Sequence, residues 1–100
     1  MPVAIICIDK SDSLDLRLRT RPEHLEWLKQ NLPDGTFVGP LLHDDGETFK
    51  GSLYILNFSD CEQAREWINQ EPYFKNNLFE NVIIRLTKNI LPLKQTKSSE

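Results

Sequence analysis

The run Val3-Ala4-Ile5-Ile6-Cys7-Ile8, closed by the charged pair Asp9-Lys10, is the feature that most constrains this chain. It is continuous rather than alternating and rich in β-branched residues, which predicts a strand buried on both faces. Such a strand belongs at the centre of a sheet, so the rest of the chain must supply neighbours on either side.

Those neighbours can be read downstream. Thr36-Phe37-Val38 reads as a short strand ended by Gly39-Pro40, and Ser52–Phe58 as a longer one in which Tyr54, Leu56 and Phe58 alternate with Leu53, Ile55 and Asn57. Asn81–Lys88 supplies a last strand around Val82, Ile83, Ile84 and Leu86. Between them, His43-Asp44-Asp45-Gly46 reads as a polar turn, and Tyr73–Glu80 as an aromatic, polar connection.

Two helices are announced by capping boxes. Thr20-Arg21-Pro22-Glu23 has the Ser/Thr-x-x-Glu form with proline in the first turn, and Leu25, Leu28 and Leu32 follow at helical spacing with Trp27 alongside, up to the stop at Pro33-Asp34-Gly35. Ser59-Asp60-Cys61-Glu62 opens the second helix, whose predicted buried stripe is Cys61, Ala64, Trp67 and Ile68, and which ends near Gln70 or Glu71 ahead of Pro72. Ser11–Arg19, where Leu14, Leu16 and Leu18 alternate with charges, fits either a strand or an irregular turn.

The order β, α, β, β, α, β is the ferredoxin-like arrangement of the α+β class: a four-stranded antiparallel sheet with both helices on one face. The other face is then left over and apolar, and a second copy of the same sheet is its simplest cover, giving a homodimer joined through the sheet faces. Residues 1–93 are expected to form a single domain, with Lys94–Glu100 as a disordered tail lacking an apolar anchor.

Charge and composition exclude several functions. With 12 Lys and Arg against 15 Asp and Glu, the formal charge of -3 argues against a nucleic-acid partner, and no apolar run approaches the length of a membrane helix. Cys7 and Cys61 lack the spacing and companions of a zinc site and read as buried free thiols of a reducing compartment, the cytoplasm. One hundred residues leave little interior to enclose a ligand, so a pocket is expected to be shallow or completed by a second subunit. Glycine-rich nucleotide loops, nucleophile elbows and paired metal-ligand motifs are missing, and neither a cofactor nor a metal is expected.

A few residues carry candidate chemistry. His24 lies one turn into the first expected helix, where the helix dipole would keep the imidazole neutral, as a general base requires; a locally bonded boundary histidine has the same pattern. Asp9, Lys10, Asp12, Arg17, Arg19 and Arg21 cluster after the first strand, where guanidinium groups can grip a carboxylate, or where alternating charges simply tie a solvated loop. Glu71-Pro72-Tyr73 places a carboxylate and a phenol at a helix terminus.

Taken in order, Asp9-Lys10, Asp12-Ser13-Leu14 with Arg17-Leu18, Arg21-Pro22 with His24-Leu25, Gly39-Pro40, Gly51-Ser52 and Glu71-Pro72-Tyr73 resemble the YciI-like proteins over Val3–Lys88. The resemblance implies a dimeric α+β barrel of the muconolactone isomerase type and a pocket with a histidine–aspartate pair, on a scaffold that a related dehydrochlorinase uses for acid–base chemistry. Carried over, the histidine is His24, and Glu71 stands where the family has aspartate, one methylene longer. Asp9, Arg17, Arg21, Ser52 and Tyr73 are then the substrate-binding candidates. Two classes of function follow: a cofactor-independent lyase or isomerase acting on a small anionic or aromatic molecule, or a non-catalytic module that binds one.

Overall fold

The computed structural model describes residues 1–91; the domain end at residue 93 and the tail from Lys94 lie outside the described residues. The elements are β1 (Pro2–Asp9), α1 (Leu14–Asn31), β2 (Gly35–Leu42), β3 (Phe49–Asn57), α2 (Cys61–Asn69), α3 (Pro72–Lys75) and β4 (Phe79–Leu86). All neighbouring strands are antiparallel, in the order β2-β3-β1-β4, which is the ferredoxin-like topology expected.

As expected, β1 is central, pairing with β3 on one side and β4 on the other. Its side chains do not meet equal cover. Val3, Ile5 and Cys7 are fully buried, whereas Ala4, Ile6 and Ile8 on the opposite face are only half-buried, because α1, α2 and α3 pack on one side of the sheet. Leu28 of α1, Ala64 and Ile68 of α2 and Tyr73 of α3 join Val3, Ile5, Tyr54, Leu56 and Ile84 in one core. Cys61, expected to be buried, is half-buried.

The first helix departs most from the reading of the sequence. It begins at Leu14, so Ser11–Arg19 is neither strand nor irregular turn for most of its length, and Thr20-Arg21-Pro22-Glu23 is not a capping box but part of the helix interior. Pro22 has no N–H to offer Leu18, an interior loss that costs about 3 kcal/mol in an isolated helix. The inward face is also not the leucine face. The buried residues are Arg17, Thr20, His24 and Leu28, while Leu14, Leu18, Leu25 and Leu32 are 44%, 49%, 41% and 48% exposed. A polar stripe at helical spacing therefore faces the sheet, and tertiary bonds rather than apolar periodicity orient the helix.

Two further boundaries shift for local reasons. β2 runs through Gly39-Pro40 instead of breaking there, since it is an edge strand and a proline can leave its donorless nitrogen on the open side. The cap of α2 is Asp60, one residue later than the Ser59–Glu62 box: Asp60 accepts from the Gln63 N–H at 2.8 Å, and the Gln63 side chain accepts from the Ser59 N–H at 2.8 Å. The connection after α2 is more ordered than expected. It holds the single turn α3, capped by Glu71 with Pro72 in the first position, and it includes the start of β4.

One glycine is fixed by the packing of the two central strands. A Cβ at Gly51 would stand 2.0 Å from the Cys7 carbonyl oxygen, so only glycine lets β3 approach β1 there.

Candidate active site

Arg17 enters the site from the first turn of α1, and the end of β1 meets it. Its Nε donates to Asp9 Oδ2 at 2.6 Å, and its Nη2 donates to Asp9 Oδ1 and to Ser52 Oγ, both at 2.9 Å. This forked pairing makes a buried cation tolerable, with Arg17 only 4% exposed. Burial opposes the guanidinium charge, but the hydrogen bond and charge of Asp9 outweigh it and raise the pKa above its ordinary value. The guanidinium carbon also lies 4.5 Å from the centre of the Tyr73 ring.

Two turns further along α1, His24 stacks on Tyr73 with ring centres 4.0 Å apart and planes 18° from parallel. Its Nδ1 is 3.1 Å from Oε2 of Glu71, an ion-pair distance without the alignment of a hydrogen bond, so this buried nitrogen has no hydrogen-bond partner among the described residues. His24 is almost three turns from the start of α1, so the dipole argument that placed it near an N-terminus does not hold. The group that its Nδ1 meets is Glu71.

Glu71 is fully buried, and three groups meet it. Oε1 accepts from the Tyr73 N–H at 2.8 Å, completing the cap of α3, while Oε2 accepts from the Tyr54 hydroxyl and faces His24. The helix-terminus role and the pairing with histidine are thus carried by one carboxylate. Burial first, and then the charge of Glu71, pushes the Tyr54 phenol well above its ordinary pKa, so Tyr54 is held as a donor. Burial also raises Tyr73, with Arg17 opposing.

These residues open on a cavity of about 200 Å³ between α1 and strands β2 and β3. Arg17, His24, Ser52 and Tyr73 line it, and Arg21 lies exposed on its wall. Asp9 is not in the lining but sits behind Arg17, and Glu71 sits behind His24. The sequence did not single out Tyr54, which lines the cavity and bonds Glu71; its place two residues after Ser52, on the same face of β3, was the available signal. Leu25, Leu28, Val38, Pro40 and Phe49 make the apolar part of the wall. Among the described residues no cluster of His, Cys, Asp and Glu has the arrangement of a metal centre.

With this geometry in view, comparison with known proteins is decisive for kinship. The family model of the YCII-related domain matches residues 1–88. The chain belongs to the YCII-related family. Protein YciI of Escherichia coli O6:H1 and that of Shigella flexneri are each 33% identical over 97 residues, covering 90% of this chain and 99% of theirs. An uncharacterized protein of Haemophilus influenzae is 28% identical over the same span. Among solved structures, the 5-chloro-2-hydroxyhydroquinone dehydrochlorinase of Burkholderia phenoliruptrix, in complex with 2,5-dihydroxybenzoquinone, superposes with a TM-score of 0.79 at 24% identity, over 88% of this chain and 94% of that one. The likeness to this enzyme is one of fold.

Proposed function

We propose that this YCII-related protein is a small, cofactor-independent enzyme that carries out lyase- or isomerase-type acid–base chemistry on a small anionic or aromatic molecule. The observation that carries the reading is the His24 ring held between the Tyr73 face and the buried Glu71 carboxylate on the wall of a cavity. With Nδ1 turned to Glu71, Nε2 is the nitrogen left for substrate. There it takes a proton, and Glu71 stabilises the imidazolium that forms.

The charge that develops on the substrate needs a cation. Arg17 has its Nε and Nη2 engaged by Asp9 and Ser52, so its part is to shape the wall, together with Tyr73. Arg21 has no carboxylate partner among the described residues and is the group that meets an enolate or carboxylate. Proton return at a second position completes an isomerisation, and departure of a leaving group with its bonding electrons completes an elimination. The aromatic and apolar walls suit a single ring, the size of ligand that the dehydrochlorinase of like fold holds. A homodimer through the open sheet faces is part of the same reading.

The test is turnover of a panel of lactones, chloro-aromatics and dicarbonyls by the wild type and by His24→Ala. The expected loss of kcat in the variant is about 10²–10⁴-fold for a positioned general base. A panel that is not turned over, with ligands that nevertheless raise the melting temperature of the wild type and not of His24→Ala, overturns the enzyme and leaves a binding module.

A further inference from the structure

A second, larger cavity takes no part in the chemistry above. It measures about 510 Å³ and lies between the β1–α1 loop, Lys10–Ser13, and the hairpin that joins β2 to β3. Its lining includes the apolar residues Ile8, Leu14 and Phe49, and Phe49 also lines the cavity of His24, so the two spaces are neighbours. Three basic side chains from separate segments border it: Lys10, His43 and Lys50.

The carboxylates nearby are mostly spent. Both oxygens of Asp9 accept from Arg17. Asp45 of the hairpin accepts from the backbone N–H groups of Glu47 and Thr48 and from the Thr48 hydroxyl, and it is not in the lining. Asp12 remains, held at a left-handed φ of 55° that fixes the loop. Neither Lys10 nor Lys50 has a carboxylate partner among the described residues. The cavity thus pairs apolar lining residues with two lysines and one carboxylate, Asp12, none of them in an ion pair among the described residues.

We propose that this cavity is a second binding site, for an oxyanion-bearing group, carboxylate or phosphate, gripped by Lys10 and Lys50 with its carbon skeleton against Phe49. A ligand that spans both spaces would carry its acidic end here and its ring against His24. The proposal goes beyond the acid–base reading and stands or falls without it, because the binding is measured in the absence of any reaction.

Amide shifts of the full chain are followed by NMR during titration with inorganic phosphate, with succinate and with sodium chloride at matched ionic strength. Saturable shifts confined to residues 10–14 and 48–50, weakened about 5-fold in Lys10→Gln/Lys50→Gln and unchanged in His24→Ala, are expected. Saturation by phosphate alone marks a phosphate group, by succinate alone a carboxylate, and by both a general oxyanion site. Linear shifts, shifts matched by sodium chloride, or saturation undiminished in the double variant overturn the proposal. Both lysines are exposed, so the variant retains the fold, as its unshifted core resonances will report.

Discussion

At the scale of the residue, Glu71 concentrates the most physics. A fully buried carboxylate is tolerated only when its lone pairs are used, and here the Tyr54 hydroxyl and the Tyr73 amide donate to them, with His24 at ion-pair distance. Glu71→Ala removes the acceptor and leaves two buried donors unmatched. A loss of about 3 kcal/mol in urea unfolding is expected, with a smaller loss for Glu71→Gln, which keeps one carbonyl oxygen for the Tyr73 amide. Equal stability of Glu71→Ala and the wild type would contradict the network. That His24 and Glu71 lie side by side was expected from the family resemblance, while the helix-terminus position expected for His24 is not where it stands. Tyr54 was hidden because, in a strand of apolar alternation, a tyrosine reads as core, and its hydroxyl matters only once α3 brings Glu71 over it.

At the scale of the element, the strand order was legible because apolar, β-branched runs bounded by polar breaks mark the strands, with alternation in Ser52–Phe58 alone. The start of α1 was not, and the cause is the site itself. A helix that turns Arg17, Thr20 and His24 inward gives up the apolar stripe by which helices are recognised, and its exposed leucines then mimic one. The hairpin over the second cavity is a further element whose order rests on polar bonds. Hydrogen bonds from Thr48 and Glu47 lower the pKa of Asp45 from the ordinary carboxylate range to about 2. A carboxyl depressed in the folded state stabilises above its unfolded value, and that contribution is lost as pH falls through the folded one. The amide resonances of Glu47 and Thr48 are therefore expected to titrate together with a midpoint near pH 2, and a midpoint near 4 would show that the bonds do not hold the carboxylate in solution.

At the scale of the whole molecule, the sheet has two unequal faces. One carries the helices; the other presents Ala4, Ile6 and Ile8 from β1, half-buried at best, with Leu53 and Ile55 of β3 in register beside them and Phe37 and Ile83 on the edge strands, 47% and 38% exposed. Asn81 and Arg85 of β4 stand beside Ile8 and Ala4 on this mainly apolar face; in the proposed homodimer a second sheet packed across it at about 10 Å would interdigitate the apolar side chains. Because the face is formed by the two central strands and reaches both edges, an isologous pairing buries the same patch twice and needs no second surface. Sedimentation at micromolar concentration is expected to give a dimer, and Phe37→Lys/Ile83→Lys a folded monomer, since lysines at two exposed edge positions spare the core while placing charge in the interface. A wild-type monomer at tens of micromolar would mean that the sheet face is not the contact, and the pocket would then be complete within one chain.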